Sequence, residues 1–296
     1  MAFTGNLKAI GFCLIAIMLF DLMAVQVRYL SQYFSVQELS VYRNILGVLP
    51  SIVLLIYNKE FTLKLESYKI PQWRLALVRG LFVAVAQYLF YTALTNLELA
   101  TVSALSQTNA LFVVILAVLM YREVVKFWRW LAVFLGFFGA LIIIGPSSDS
   151  FSLSGLFPIG AAFCYAFSMV TLRSFDKSTS NSILYLYSAV AAAFGAIIYA
   201  LITIEFSSIT NYSHLIILVT MSMCGGFGVV FLMVAYRSAP AAVLAPFSFF
   251  GILNAFALGW ILFGEAPIDD LFPGALLIIG SGLIIIWREQ RSRVSV

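Results

Sequence analysis

The chain has 296 residues, of which 62% are hydrophobic and 10% charged. With a mean hydropathy of +1.03, this excludes an ordinary soluble domain, which carries roughly 25% charge. The net charge of +4 does not point to nucleic acid, because the basic residues are scattered over short loops between apolar runs. The composition is that of an all-α integral membrane protein whose solvent is the lipid bilayer.

Apolar runs of roughly 20 residues, long enough to cross a hydrocarbon core, predict ten spanning helices. They cover residues 7–29, 36–57, 74–96, 99–121, 127–145, 155–174, 182–204, 214–237, 240–263 and 269–287. The first follows Lys8 and lacks a small-residue cleavage site, so it is expected to stay rather than be removed as a signal peptide. It holds Asp21, the one carboxylate inside an apolar run, and Arg28 seven residues later. The second carries Arg43. On the third, Ala84, Gln87, Tyr88, Tyr91 and Thr95 form a polar stripe at helical spacing. On the fourth, Ser103, Ser106, Gln107 and Ala110 do the same, beside Asn109. One polar face on an otherwise apolar helix indicates a cavity or a helix contact rather than lipid.

In the second half, Tyr165, Ser168, Ser248 and Asn254 are the polar candidates, and a single Ser or Tyr reads first as an interhelical hydrogen bond and second as a cavity group. Tyr88, Tyr91, Tyr165, Phe227 and Phe249 could line an aromatic cavity for a flat or amphipathic solute. Gly225-Gly226-Phe227-Gly228 allows either close helix approach or a bend. It is no phosphate loop, since no strand precedes it and no Gly-Lys-Ser/Thr follows. Pro158 and Pro246 remove helix hydrogen bonds and are expected to act as hinges. Ala255 and Gly259 form a small-residue pair that packs helices. Trp73, Trp128, Trp130 and Trp287 read as interfacial anchors. Cys13, Cys164 and Cys224 read as small apolar fillers, without disulfide or metal.

Of the 17 Lys and Arg residues, all but Arg28 and Arg43 fall at the N-terminus, in alternate loops and their flanks, or in the tail. The Lys59–Arg79 stretch is the richest. The intervening loops carry Glu98, Asp149, Glu205, Glu265, Asp269 and Asp270 with no basic residue. The positive-inside rule then expects both termini in the cytoplasm.

The sequence also repeats. With Glu123 aligned on Glu265, the helix from Leu99 falls on the helix from Ala241, and Gly139 falls near Gly282. One Glu lies on the cytoplasmic side and the other outside, so two five-helix repeats, 1–147 and 148–296, are expected in inverted orientation. Inverted repeats are characteristic of secondary transporters.

Ala242-Val243-Leu244-Ala245-Pro246-Phe247, Gly259 and Phe263-Gly264-Glu265-Ala266-Pro267 resemble the EamA branch of the drug/metabolite transporter superfamily. The resemblance covers nearly the whole chain. Asp21, Arg28 and Arg43, with Glu38 and Tyr42, are more similar to members linked to S-adenosylmethionine or riboflavin uptake. In two places the chain departs from the family: Phe20 and Asp21 replace a tryptophan and a glycine, and Asn109-Ala110-Leu111-Phe112 replaces the proline expected in the fourth helix. The resemblance implies a multi-pass protein of the cell inner membrane that takes a small-molecule metabolite. It also implies a homodimer contact through the Ala255–Gly259 face, as in some relatives.

Rise per residue places Asp21 and Arg43 at a similar depth, roughly 5 Å to the outer side of the mid-plane, so the two are expected to meet. Arg28 shares the face of Asp21 but lies nearer the surface. A paired Asp21 would stay ionised, and separation would favour its taking up a proton, which couples a proton to movement. Equally, Arg43 suits a substrate carboxylate, with Asp21 facing its amine. Glu123 and Glu265 read first as structural residues that cap loops or pair with positive charge, and second as gates. An intramembrane enzyme lacks its parts: the only histidine is His214 near an outer loop, and neither an aspartyl dyad nor a nucleophile beside a base is present. A channel would need a filter or ring that the sequence does not display. No cofactor is called for.

Overall fold

The computed structural model describes residues 2–122, 127–144, 153–176, 179–209, 211–238, 244, 247, 250–265 and 268–294. Among these the protein is all-α, with no strand. The helices are α1 (Ala2–Leu30), α2 (Val36–Leu46), α3 (Val48–Tyr57), α4 (Trp73–Asn96), α5 (Leu99–Ser106), α6 (Asn109–Tyr121), α7 (Phe127–Ile144), α8 (Leu156–Val170), α9 (Asn181–Thr203), α10 (Tyr212–Ser238), α11 (Phe250–Phe263), α12 (Ile268–Leu271) and α13 (Gly274–Val294). Seven segments are long and apolar enough to cross a membrane, and two shorter apolar helices lie within α7 and α11. Glu123, Pro246, Ser248 and Phe249, and with them part of the repeat alignment, lie outside the described residues.

Two of the expected single helices are broken, each for a local reason. The second span divides at Gly47. Pro50 has no N–H for the carbonyl of Leu46, and its ring would crowd that carbonyl. The fourth span divides at Gln107-Thr108 without a proline. There the hydroxyls of Ser106 and Thr108 donate to the carbonyls of Val102 and Leu105, both at 2.7 Å. The backbone runs through the break on tighter bonds, Ala110 N–H to Gln107 and Leu111 N–H to Thr108, because side-chain hydroxyls compete for the helix's own acceptors. Pro158 is no hinge. It occupies the first turn of α8, where a missing N–H costs nothing.

α1 lies along α10, α7 along α13, and α4 against both α8 and α9. Glycines set these distances. A Cβ on Gly225 would meet Met23 and the Arg43 guanidinium, and one on Gly228 would strike Phe20 at 2.8 Å. α10 is continuous through its glycines, and Gly225-Gly226-Phe227-Gly228 serves close approach. At the α7–α13 seam, a Cβ on Gly139 would stand 2.6 Å from the carbonyl oxygen of Gly274, and the converse distance is also 2.6 Å. Two backbones in contact cannot yield as a side chain can. Gly139→Val is therefore expected to lower the melting temperature by about 5 °C or more. Gly280→Val on α13, where the added carbon meets nothing within 4 Å, should change it little. Melting of the two variants side by side in one detergent decides the matter.

The helix ends gather at two faces. At one, Arg28 of α1 meets the Leu97–Leu99 turn between α4 and α5 and Glu265 after α11. On the same face Glu38 of α2 meets Ser207 after α9. At the other, Asn58 after α3 meets Ser182 of α9, and Tyr121 of α6 meets Ser174 after α8.

Candidate functional site

α1 presents two faces. Phe20, Met23 and Gln26 turn to α10, where Gln26 Nε2 donates to Thr220 Oγ1 at 2.9 Å. Asp21 and Arg28, seven residues apart, turn to α11, as the spacing of two helical turns requires. Asp21 Oδ2 accepts from Asn254 Nδ2 at 2.7 Å, with Gly251 and the Ser103 hydroxyl alongside. Arg28 forms an ion pair with Glu265, donates to the Leu97 carbonyl and stands 5.2 Å from the Phe263 ring centroid. The second oxygen of Glu265 accepts from Leu99 N–H at 3.0 Å. Glu265 thus caps α5 and pairs with a cation, in its expected structural role.

Asp21 and Arg43 do not meet: among the described residues no ion pair joins them. The cause is angular. Asp21 and Met23 project about 200° apart around α1, and it is Met23 that lies with Arg43 against Gly225. Arg43 is 8% exposed. Its Nη1 donates to Asn44 Oδ1 at 3.1 Å, and its Nε has no partner. Its charge reaches three phenols, Tyr91 on α4, Tyr165 on α8 and Tyr185 on α9. Tyr91 is wholly buried and also contacts the Met23 sulfur at 3.7 Å. Gln87, one turn before Tyr91, is 2% exposed, with its Oε1 unpartnered.

The remaining candidates disperse. Tyr88 leaves the stripe to pack edge-on against Tyr199 at 5.2 Å, and Thr95 is exposed. Asn109 donates to the Ala162 carbonyl of α8 at 2.9 Å, a tie between helices. Gln107 ends α5 at the break. Phe227 is half-buried on α10. Ser248 lies outside the described residues. Ala255 and Gly259 are buried, Gly259 facing Leu99 and Glu265 of the same chain, so that face is not free for a second copy.

Sequence reasoning gave three side chains no inward-facing role of their own. Glu38 is 1% exposed and more deeply buried than Asp21, which is half-buried. Glu38 accepts from the N–H and hydroxyl of Ser35 and from Ser207 N–H. The Ser35-x-x-Glu38 capping box before an apolar run was its signal. Tyr185, whose hydroxyl donates to the Gly226 carbonyl at 3.4 Å, gave none beyond its helical position. Arg79, expected as a basic loop flank, is drawn inside, its Nε donating to the Ser168 carbonyl at 2.6 Å and its Nη1 to the Ser188 hydroxyl at 2.8 Å.

The Arg28 pair permits a direct test. Arg28→Gln leaves the Glu265 carboxylate, 10% exposed, with only the Leu99 N–H. Because Arg28 keeps 23% of its surface, the expected cost is about 2 kcal/mol, less than the roughly 3–5 kcal/mol of a fully buried pair. Adding Glu265→Gln should recover part of it. A thermal-melting double-mutant cycle measures both.

An all-helical membrane bundle with charges buried at separate stations has the make-up of a membrane transport protein. The chain belongs to the EamA-like transporter family, whose sequence pattern matches residues 7–145. It is 32% identical to a riboflavin transporter of Brucella anthropi, over 83% of this chain and 86% of that one. A riboflavin transporter of Vibrio cholerae is 29% identical, over 82% and 81% of the two chains. An S-adenosylmethionine uptake transporter of Rickettsia prowazekii is 26% identical, over 74% and 73%. One solved crystal structure superposes with a TM-score of 0.66 at 16% identity, over 96% of this chain and 98% of the other, which shows a shared fold.

Proposed function

We propose that the chain is a secondary transporter that moves a small organic metabolite across the cell inner membrane by alternating access. Its ten crossings form two inverted halves, 1–147 and 148–296, with both termini cytoplasmic. The count adds α13 to the seven long and two shorter apolar helices. Helix packing supports the inverted halves. Exchanging each crossing with the one five places along turns the α1–α10 contact into α8–α4, and α11–α1 into the contact of α5 and α6 with α8. The α7–α13, α2–α9 and α5–α11 contacts map onto themselves. Orientation is supported by charge: Glu38 and Glu265 gather at one face, while Lys59, Lys64 and Lys69 follow α3 at the other.

Arg43 carries the functional reading. A guanidinium buried among tyrosines without a carboxylate is a liability in a purely structural helix, and it becomes useful when a solute supplies the missing acceptor. Asp21, held by Asn254 on the far side of α1, serves as a separate proton-coupling group. The outer side of α11, with Leu253, Trp260 and Ile261 exposed, is the surface available to lipid or to a second copy. A thermal-shift screen of purified protein against amino acids, adenosyl compounds and flavins, followed by proteoliposome uptake with and without a pH gradient, tests the reading. One class is expected to stabilise the protein and to accumulate. Flux no greater than in empty vesicles for every class would overturn it.

A further inference from the structure

The Arg43 station has one formal charge and two orphaned polar atoms. Nε of Arg43 and Oε1 of Gln87 are buried, and neither has a hydrogen-bond partner. The residues sit on α2 and α4, which pack together. Tyr91 lies one turn from Gln87 on the same face of α4, with its hydroxyl close enough to interact with the guanidinium. A buried donor or acceptor without a partner is a standing cost. Here one of each kind stands beside the same tyrosine, and a single bound solute could relieve both.

Building on the transport reading, we propose that Arg43 and Gln87 set the substrate class. It is a neutral or anionic planar heterocycle that offers an acceptor to the guanidinium and an N–H to the Gln87 amide oxygen. Solutes of net positive charge are rejected.

The charge rule follows from where the carboxylates are engaged. Asp21 is held by Asn254 beyond α1, Glu265 is paired with Arg28, and Glu38 is taken by Ser35 and Ser207. None neutralises Arg43. A net cation entering the station would meet this charge in a medium of low dielectric, where like charges repel far more than in water. S-adenosylmethionine, with one carboxylate against an ammonium and a sulfonium, is such a cation. A flavin is neutral, and its cyclic imide sets a carbonyl beside an N–H. Tyr91, Tyr165 and Tyr185 supply aromatic surface for its ring. The amide at position 87 matters because a carboxylate there would cancel Arg43 as a salt bridge, whereas Gln87 accepts a hydrogen bond and leaves the cation free.

The first test needs no variant. Riboflavin binding to the chain in phosphatidylcholine nanodiscs is read by quenching of flavin fluorescence, with N3-methylriboflavin and S-adenosylmethionine as comparison and competitor. Riboflavin is expected to bind, and the N3-methyl compound, which lacks the imide N–H, to bind about tenfold more weakly, as a site left with an unpaired acceptor should. S-Adenosylmethionine should fail to compete at about a hundredfold excess. Gln87→Glu is expected to weaken riboflavin and strengthen S-adenosylmethionine, an inversion that a packing role for Gln87 would not produce. Equal binding of the two flavins, or effective competition by S-adenosylmethionine, overturns the proposal. If proteoliposomes move S-adenosylmethionine and ignore flavin, the charge rule falls and the transport reading stands. If they move no solute in the wider screen, both fall.

Discussion

Arg43→Met is expected to slow uptake roughly ten- to 150-fold while leaving the protein as stable as the wild type, or more so. The two halves of this expectation have one cause. The guanidinium is buried, its Nε is unpartnered, and its neighbouring acceptors, the Asn44 amide oxygen and the Tyr91 hydroxyl, are both neutral. Removing a buried charge that the fold does not neutralise relieves a desolvation cost, and methionine refills the volume with a flexible apolar chain. The melting temperature should therefore hold or rise. Uptake should move the other way. A charge-assisted hydrogen bond to a solute contributes about 1.5–3 kcal/mol, roughly ten- to 150-fold in uptake at sub-saturating solute. Melting and initial uptake rates measured on one preparation decide it. A variant that unfolds early would make Arg43 a structural residue, and a fully active one would remove the anion site. Arg28→Gln should have the opposite signature, because there the structure neutralises the cation.

How far the sequence could be read is seen in the same two arginines. Seven-residue spacing correctly put Arg28 on the face of Asp21, and both reach α11. Depth alone then paired Asp21 with Arg43, and this failed because rise per residue says nothing about azimuth. The direction of Asp21 around α1 is set by α10, whose glycines draw in the Phe20–Met23 face. No local pattern announces that contact. Helix breaks were half legible: Pro50 marks the one at Gly47, while the hydroxyl-driven break at Thr108 is hidden in ordinary residues. The polar stripe on α4 was visible as a stripe, but its division between Tyr88, which faces Tyr199, and Gln87 with Tyr91, which face inward, depends on the placement of α9. Buried Glu38 carried a readable capping signature. Tyr185 became a candidate only when α9 was seen beside Arg43.

Asp21→Asn is expected to uncouple flux from the pH gradient without stopping it. In the wild type, a gradient imposed in opposite directions should speed flux one way and slow it the other, because the carboxylate takes up a proton on one side and releases it on the other. Asparagine cannot carry that proton, so flux in the variant should be the same for either gradient and follow the solute gradient alone. The change is conservative for the fold. An amide at position 21 still accepts from Asn254 Nδ2, where the carboxylate now accepts at 2.7 Å, and no counter-ion is stranded, since Arg43 lies on the other face of α1. That separation sharpens the test. Were Asp21 the partner of Arg43, its neutralisation would disturb solute affinity as well as coupling. With α1 between them, solute binding should change by less than about threefold, within the range expected of sites that share no partner. Loss of affinity together with coupling would mean that the two stations act as one. An unchanged response to the gradient would take the coupling role away from Asp21.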